Sequence, residues 1–146
     1  MKALVLILVS LILGLLSAKA QTTTTTTSNS STKVTVSVTD DEKDYYRSFA
    51  IIDMDDFFRI KIKFLESLQN DVKLYLIDQF GKENMRIDSE TYVWRKEVEK
   101  EEMYEVRLKE NRLRINVNKE LASDKLLKKF IQMGKELKSL TSKKEK

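Results

Sequence analysis

Seven cationic residues recur at every second position along three short stretches of this chain. They are Arg59, Lys61, Lys63, Arg107, Lys109, Arg112 and Arg114. Alternation with apolar residues places every second side chain on one face of a β-strand, so these cations would share faces opposite a core. Such a charged surface suits an anionic glycan or a phosphate. The sequence favours the more ordinary interpretation, a solvated face whose cations meet cross-strand acids such as Glu105.

The residues for catalysis or metal binding are largely missing. The chain has no histidine and no cysteine, which removes the commonest general base, the commonest zinc ligand and every Ser–His or Cys–His arrangement. The segment Asp53-Met54-Asp55-Asp56 concentrates carboxylates, which hard cations prefer, but it lacks the turn glycine and distal glutamate of a calcium loop. We therefore interpret it as a solvated turn, and we predict a non-enzyme without metal or cofactor.

The first 20 residues predict secretion. A basic start, Met1-Lys2, precedes the apolar stretch 3–16, and Ala18-Lys19-Ala20 places small residues where a signal peptidase reads them. We expect cleavage before Gln21 and an extracellular protein. A retained anchor is the alternative, but a spanning helix needs ~20 apolar residues and this stretch is shorter.

Residues 21–33 are polar, rich in threonine and serine, and low in complexity. Such a segment cannot bury enough surface to offset the entropy of ordering, so we predict a disordered stalk. Asn29-Ser30-Ser31 is an N-glycosylation acceptor triplet, which predicts a glycan on Asn29, with an unmodified linker as the alternative.

Strict apolar–polar alternation recurs within residues 34–122, which we take as one domain. It covers Val34–Val38, Phe58–Phe64, Val72–Leu76, Tyr104–Leu108 and Leu113–Val117, with turn residues at 69–71, 81–84 and 110–111. Alternating runs of this length predict a mainly β domain, an antiparallel β-sandwich or curved sheet. We expect its core to contain Ile60, Ile62, Leu74, Leu76, Val106, Leu113 and Ile115.

After Asn118 the apolar period becomes helical. Leucines, Phe130 and Ile131 recur at three- and four-residue steps with lysines between them, which predicts an amphipathic C-terminal helix over 123–140, capped by Ser123 or Asp124. Residues 141–146 would be a disordered basic tail. We expect the apolar side of the helix to dock on the sheet; the alternative is that this basic helix lies on an anionic membrane surface.

From Phe57 to about Glu120 the chain resembles a galectin-type lectin domain. The segment Asn70–Phe80 is similar in pattern to the galectin strand that carries His-x-Asn-x-Arg, and Trp94-Arg95-Lys96-Glu97 matches the family's Trp-x-x-Glu. Segments 104–108 and 113–118 resemble the family's late hairpin. The resemblance implies a concanavalin-like jelly roll that binds carbohydrate.

The same resemblance implies a ligand site. Trp94 would stack on the apolar face of a sugar ring, and Glu97 would accept hydrogen bonds from its hydroxyls. Other positions depart from the family: its His, Asn and Arg are replaced by Tyr75, Ile77 and Gln79, its ligand asparagine by Asp88, and the arginine after the glutamate by Glu99.

These departures change the expected ligand. Tyr75, Gln79 and Asp88 would form an altered polar rim. Without the His-Asn-Arg triad, several oriented hydrogen bonds are lost, so lactose should bind poorly or not at all. An anionic glycan, drawn to Arg59, Lys61 or Arg95, is the better candidate.

Together these features predict a secreted, non-enzymatic binding protein, lectin-like but without the usual galactoside triad. Its partner would be a glycan or an extracellular protein, and not a nucleic acid. The alternative is an extracellular structural or protein-interaction module without a small-molecule ligand, in which the sheet or the helix contacts another protein.

Overall fold

The computed structural model describes the backbone of residues 23–29, 32–41 and 45–142, and side chains from residue 47 onward. The predicted signal peptide, the Asn29 side chain and the last four residues of the predicted tail lie outside these described residues, so those predictions stay predictions. Among the described residues, no helix is long and apolar enough to cross a membrane.

Eight strands form one antiparallel sheet. They are β1 (Thr23–Asn29), β2 (Thr32–Asp41), β3 (Tyr45–Asp53), β4 (Phe57–Lys63), β5 (Arg86–Asp88), β6 (Thr91–Val98), β7 (Glu101–Lys109) and β8 (Arg112–Asn118). Their spatial order is β1-β2-β3-β4-β8-β7-β6-β5, and every neighbouring pair runs antiparallel. The predicted mainly β, antiparallel class is therefore confirmed, as a single sheet in the described part of the chain.

Two helices complete the fold. A short 3-10 turn (Glu66–Leu68) leads into α1 (Gln69–Phe80), and α2 (Asp124–Leu140) follows the last strand. The predicted C-terminal helix is confirmed with its cap, because the Ser123 hydroxyl accepts a hydrogen bond from the Leu126 N–H at 3.3 Å.

The strand predicted over 72–77 is wrong, because these residues lie in α1. Val72 and Leu76, which alternation placed on one face of a strand, are also four residues apart and so share one face of a helix. Both are fully buried, whereas Leu74, predicted in the core, points away and is 54% exposed. The turn predicted at Gln69–Asp71 is the first turn of α1. There the negative charge of Asp71 interacts favourably with the positive end of the helix dipole.

The segment expected as a disordered stalk also differs. The backbone of Thr23–Asn29 pairs with Thr32–Val38 of β2 as strand β1. Threonine is β-branched and favours extended conformations, and β2 offers an unpaired edge that satisfies its backbone groups.

The core lies between one face of the sheet and both helices. It contains the predicted Ile60, Ile62, Leu76, Val106, Leu113 and Ile115, together with Phe130, Met133 and Leu137 of α2. Gly134 allows close packing, because a Cβ there would lie 3.2 Å from the Ile60 Cδ1 atom and 3.3 Å from that of Ile51. The apolar side of α2 is thus docked on the sheet, as predicted.

Candidate functional site

The sheet face opposite the helices carries the cations of β4, β7 and β8. Inward residues such as Ile60, Val106 and Ile115 are fully buried, so their sequence neighbours point to the other side. We call this side the open face. The shared cationic surface, which the sequence favoured less than a solvated face with cross-strand acids, is present, because β8 lies between β4 and β7 and brings all three strands side by side.

Two adjacent rows on the open face are entirely cationic across β4, β8 and β7. The pairing Lys63↔Arg112↔Lys109 forms the first cation row, and Lys61↔Arg114↔Arg107 forms the second cation row. Each cation therefore has another cation directly opposite it on a neighbouring strand. Like charges in that position destabilise a sheet.

The two rows line an open hollow of about 470 Å³. Among the side chains that the structure describes, none that lines the hollow is acidic; Ile62 and Leu113 beneath the rows and Ser48 and Thr91 at the two ends complete the lining. None of the salt bridges found among residues 47–142 involves Lys61, Lys109, Arg112 or Arg114. The arrangement concentrates positive charge on one side of the sheet, and in the second cation row Arg107 also contacts Glu105.

The next row along the same strands is built differently. The pairing Arg59↔Asn116↔Glu105↔Arg95, here called the paired row, has a cation at each end and two acceptors between them. The Arg59 Nε donates to the Asn116 Oδ1 at 2.6 Å, and the Arg95 Nε donates to the Glu105 Oε2 at 3.1 Å. Each arginine of the paired row therefore has a hydrogen-bond acceptor in the same row.

Glu105 is the centre of the paired row. Its side chain is 8% exposed. One carboxylate oxygen accepts hydrogen bonds from Arg95, and the Arg107 Nη1 lies 3.7 Å from the other oxygen. Glu102 adds a second carboxylate 3.0 Å from the Arg95 Nε. The hydrogen bond and the charge of Glu105 raise the pKa of the Arg95 guanidinium above its ordinary value. Glu105 is thus a cross-strand partner for Arg95 of β6, while its contact with Arg107, one of the predicted cations, lies within β7.

The acidic segment at 53–56 has a structural partner. The Lys119 Nζ donates to the Asp53 Oδ1 at 2.8 Å and to the Met54 carbonyl oxygen at 2.7 Å. Asp55 and Asp56 are exposed in the turn before β4. Among the described residues, no group of acidic side chains has an arrangement that could hold a metal ion.

The residues of the predicted lectin site do not form one site. Trp94 is 1% exposed, its indole N–H donates to the Gly81 carbonyl oxygen at 3.0 Å, and its ring lies 6.3 Å from that of Phe80. It therefore offers no ring face to a sugar in this structure. Asp88 lies beside Thr91, which faces the open side, so Asp88 and Trp94 are on opposite sides of the sheet.

The remaining predicted site residues have other surroundings. Tyr75 and Gln79 belong to α1, and the Tyr75 hydroxyl donates to the Glu136 Oε2 of α2 at 2.6 Å. The Gln79 carbonyl oxygen accepts from the Lys129 Nζ at 3.1 Å. Glu97 is exposed near the end of β6, where the register with β7 shifts. The predicted rim is thus divided between the helix layer and the sheet.

Sequence reasoning missed Ser48 and Thr91 at the ends of the hollow. Their roles depend on strand neighbours, because Ser48 pairs with Lys63 and Thr91 pairs with Lys109. Neither β3 nor β6 shows the strict alternation of β4 and β8, so no pattern marked these two hydroxyls.

Comparisons with protein-family models, with curated proteins and with solved structures find no match for this chain. The galectin-type resemblance stays a prediction, and the segment that carried its principal motif, Asn70–Phe80, is helical here.

Proposed function

We propose that this is a secreted, non-enzymatic binding protein that holds an anionic glycan on the open face of its sheet. The observation that carries the proposal is the pair of cation rows, six positive side chains around one hollow whose described lining contains no acidic residue. Because opposed like charges destabilise the fold, an anion that lies between them would gain attraction and also relieve repulsion.

A glycan fits the hollow better than a nucleic acid does. Proteins that bind single strands combine cationic grooves with aromatic side chains on which bases stack. From residue 47 onward, no aromatic side chain lines the hollow, and Trp94, Tyr92 and Tyr104 pack on the helix side instead. The predicted signal peptide supports an extracellular ligand, and outside the cell sulfate and carboxylate groups on glycans supply the anions.

A binding role also fits the chemistry of the open face better than catalysis. General acid–base chemistry needs a group that exchanges protons near neutral pH. The hollow is lined by lysines, arginines, hydroxyls and apolar groups, and the neighbouring Glu105 carboxylate already accepts hydrogen bonds from Arg95. Fixed cations of this type attract and orient an anion without reacting with it.

The proposal can be tested with immobilised heparin and chondroitin sulfate as probes. The double variant Lys61→Glu, Arg114→Glu reverses two charges in the second cation row, and loss of charged hydrogen bonds worth about 1.5–3 kcal/mol each should weaken binding at least tenfold. Raising the salt concentration should weaken wild-type binding as well, because the charges are exposed to solvent.

A matched control is available on α2. Lys125 and Lys128 are exposed on the helix, so Lys125→Glu, Lys128→Glu makes the same change in net charge away from the hollow. This control should keep heparin binding. If both double variants lose binding equally, the attraction belongs to net charge and not to the open face. If wild-type protein binds neither probe, the proposed function is wrong.

A further inference from the structure

The shape of the hollow contains information about the ligand beyond its charge. The two cation rows run across the strands and lie two residues apart along them, which is about 7 Å in an extended chain. Between them lie Ile62 and Leu113, whose side chains point into the core, so the floor of the hollow is backbone. The result is a trough with one cation row along each side.

The trough has defined ends and length. Ser48 of β3 and Thr91 of β6 continue the first cation row beyond Lys63 and Lys109, so hydroxyl groups follow the charges at both ends. Three neighbouring strands spaced about 4.8 Å apart give the charged part a length of about 10 Å. Thr91 is only 6% exposed, which fixes its position at that end.

The residues that lie beyond the two cation rows, along the strands, differ in charge from the rows themselves. Beyond the second cation row lies Glu105 of the paired row, whose carboxylate would repel an anion. Beyond the first cation row the strands end, and Glu110 occupies the β7–β8 turn with a φ of 49°. An anionic chain that followed β7 would meet this carboxylate at one side and run off the sheet at the other, whereas one that followed β4 would meet Arg59.

From this geometry, and resting on the proposed function, we infer that the ligand is a linear sulfated or carboxylated glycan that lies across the strands. Its chain follows the trough from β4 to β7, and its anionic groups project to both sides, toward the two cation rows. A compact anion would reach only part of the six cations and would leave the others repelling one another.

The first experiment compares ligand lengths on the full chain. Heparin di-, tetra-, hexa- and octasaccharides, inorganic sulfate and inorganic triphosphate would compete with a fluorescent heparin fragment. Affinity should rise with each added unit until the trough is filled and then level off, while sulfate and triphosphate compete poorly. If triphosphate competes as well as the octasaccharide, the extended ligand is wrong although the proposed function survives.

The second experiment tests the direction of the ligand with single variants. Lys61→Ala and Lys109→Ala remove a cation at opposite ends of the charged part, so each should weaken octasaccharide binding about tenfold, the value of one charged hydrogen bond, but change the binding of inorganic sulfate, which is too small to reach both ends, less than about threefold. An equal loss for both probes would mean a compact site.

Arg59→Gln is the matched control for direction. Arg59 lies on the same strand as Lys61 and Lys63 but in the paired row, bonded to Asn116, and glutamine retains a donor for that bond. A ligand across the strands should bind this variant unchanged, whereas a ligand along β4 would lose affinity. A single-stranded oligothymidylate with the charge of the octasaccharide completes the set. Tighter binding of the oligothymidylate would overturn the assignment to a glycan.

Discussion

The two faces of the sheet handle polar groups in opposite ways. On the face covered by α1 and α2, the Trp94 indole donates to the Gly81 carbonyl oxygen and the Tyr75 hydroxyl donates to Glu136. On the open face, Lys61, Arg114 and Arg107 stand in one row without an acid between them. The covered face is arranged for stability, and two rows of the open face keep an arrangement that stability alone does not favour.

The paired row shows that this arrangement is not forced by the sheet. It lies only two residues along from the second cation row, on the same strands, yet Asn116 and Glu105 separate its two arginines. The same backbone therefore accommodates one row in which acceptors separate the cations and another in which the cations are direct neighbours. This difference is the reason for proposing that the cation rows bind an anion.

The largest effect should separate two adjacent residues of β8. Ile115 is fully buried on the covered face, so Ile115→Ala should lower the free energy of unfolding by about 2–5 kcal/mol through lost contacts and a cavity. Arg114→Ala, on the open face, should change it by less than about 0.5 kcal/mol. Urea denaturation measures both. Equal losses would mean that the two faces do not differ as described.

The second prediction concerns the centre of the paired row. Glu105→Ala should lower the free energy of unfolding by about 1–3 kcal/mol, because the nearly buried carboxylate is the acceptor for Arg95. Solvent screening limits the loss, since the Arg95 side chain is 45% exposed. Glu102→Ala is the matched control, because Glu102 contacts the same arginine but is 41% exposed. A loss for Glu102→Ala as large as that for Glu105→Ala would contradict the central place of Glu105.

The third prediction reverses the usual outcome of a mutation. Arg114→Glu places an acid between Lys61 and Arg107, as Glu105 stands in the paired row, and should raise the free energy of unfolding by up to about 1 kcal/mol. The gain should shrink as salt screens the charges. The same variant should lose heparin binding. If Arg114→Glu destabilises the protein and still binds heparin, then repulsion between the cations does not lower stability and the cation rows do not bind the ligand.

The sequence was sufficient to predict which face each cation of β4, β7 and β8 occupies, because alternation determines facing once a segment is a strand. It was not sufficient for α1, since Val72 and Leu76 satisfy both a two-residue and a helical period. A strand would bury Leu74 together with Val72 and Leu76, whereas the helix leaves Leu74 exposed. Exposure depends on which elements pack nearby, and the sequence does not show that.

Strand neighbours were also beyond the sequence. The turns that bound β6 contain Ser89, Glu90, Glu99 and Lys100 at positive φ, where glycine or asparagine would have signalled a tight turn. Without those signals β6 could not be delimited, so the ends of the trough and the true position of Trp94 were hidden. The candidate site was predictable as a set of charges, but its shape required the order of the strands.

The smallest predicted effect lies on the covered side, where α1 meets α2. The hydrogen bond from Tyr75 lowers the pKa of Glu136, and burial, followed by that same bond, raises the pKa of Tyr75. A carboxyl whose pKa is lowered by folding contributes stability above its unfolded pKa, so this contribution should be lost as pH falls below about 4. A phenol whose pKa is raised contributes below its unfolded pKa, and its contribution should be lost as pH rises past about 10.

Tyr75→Phe removes the hydroxyl that links the two groups. The variant should melt slightly below wild type near neutral pH, and the two melting curves should converge at both pH extremes. Melting temperature followed by circular dichroism across pH measures this. Heparin binding should be unchanged, because Tyr75 lies on the side of the sheet away from the trough. A pH-independent difference between the two proteins would mean that Tyr75 contributes by packing and not through Glu136, and a loss of heparin binding would mean that the two faces are coupled.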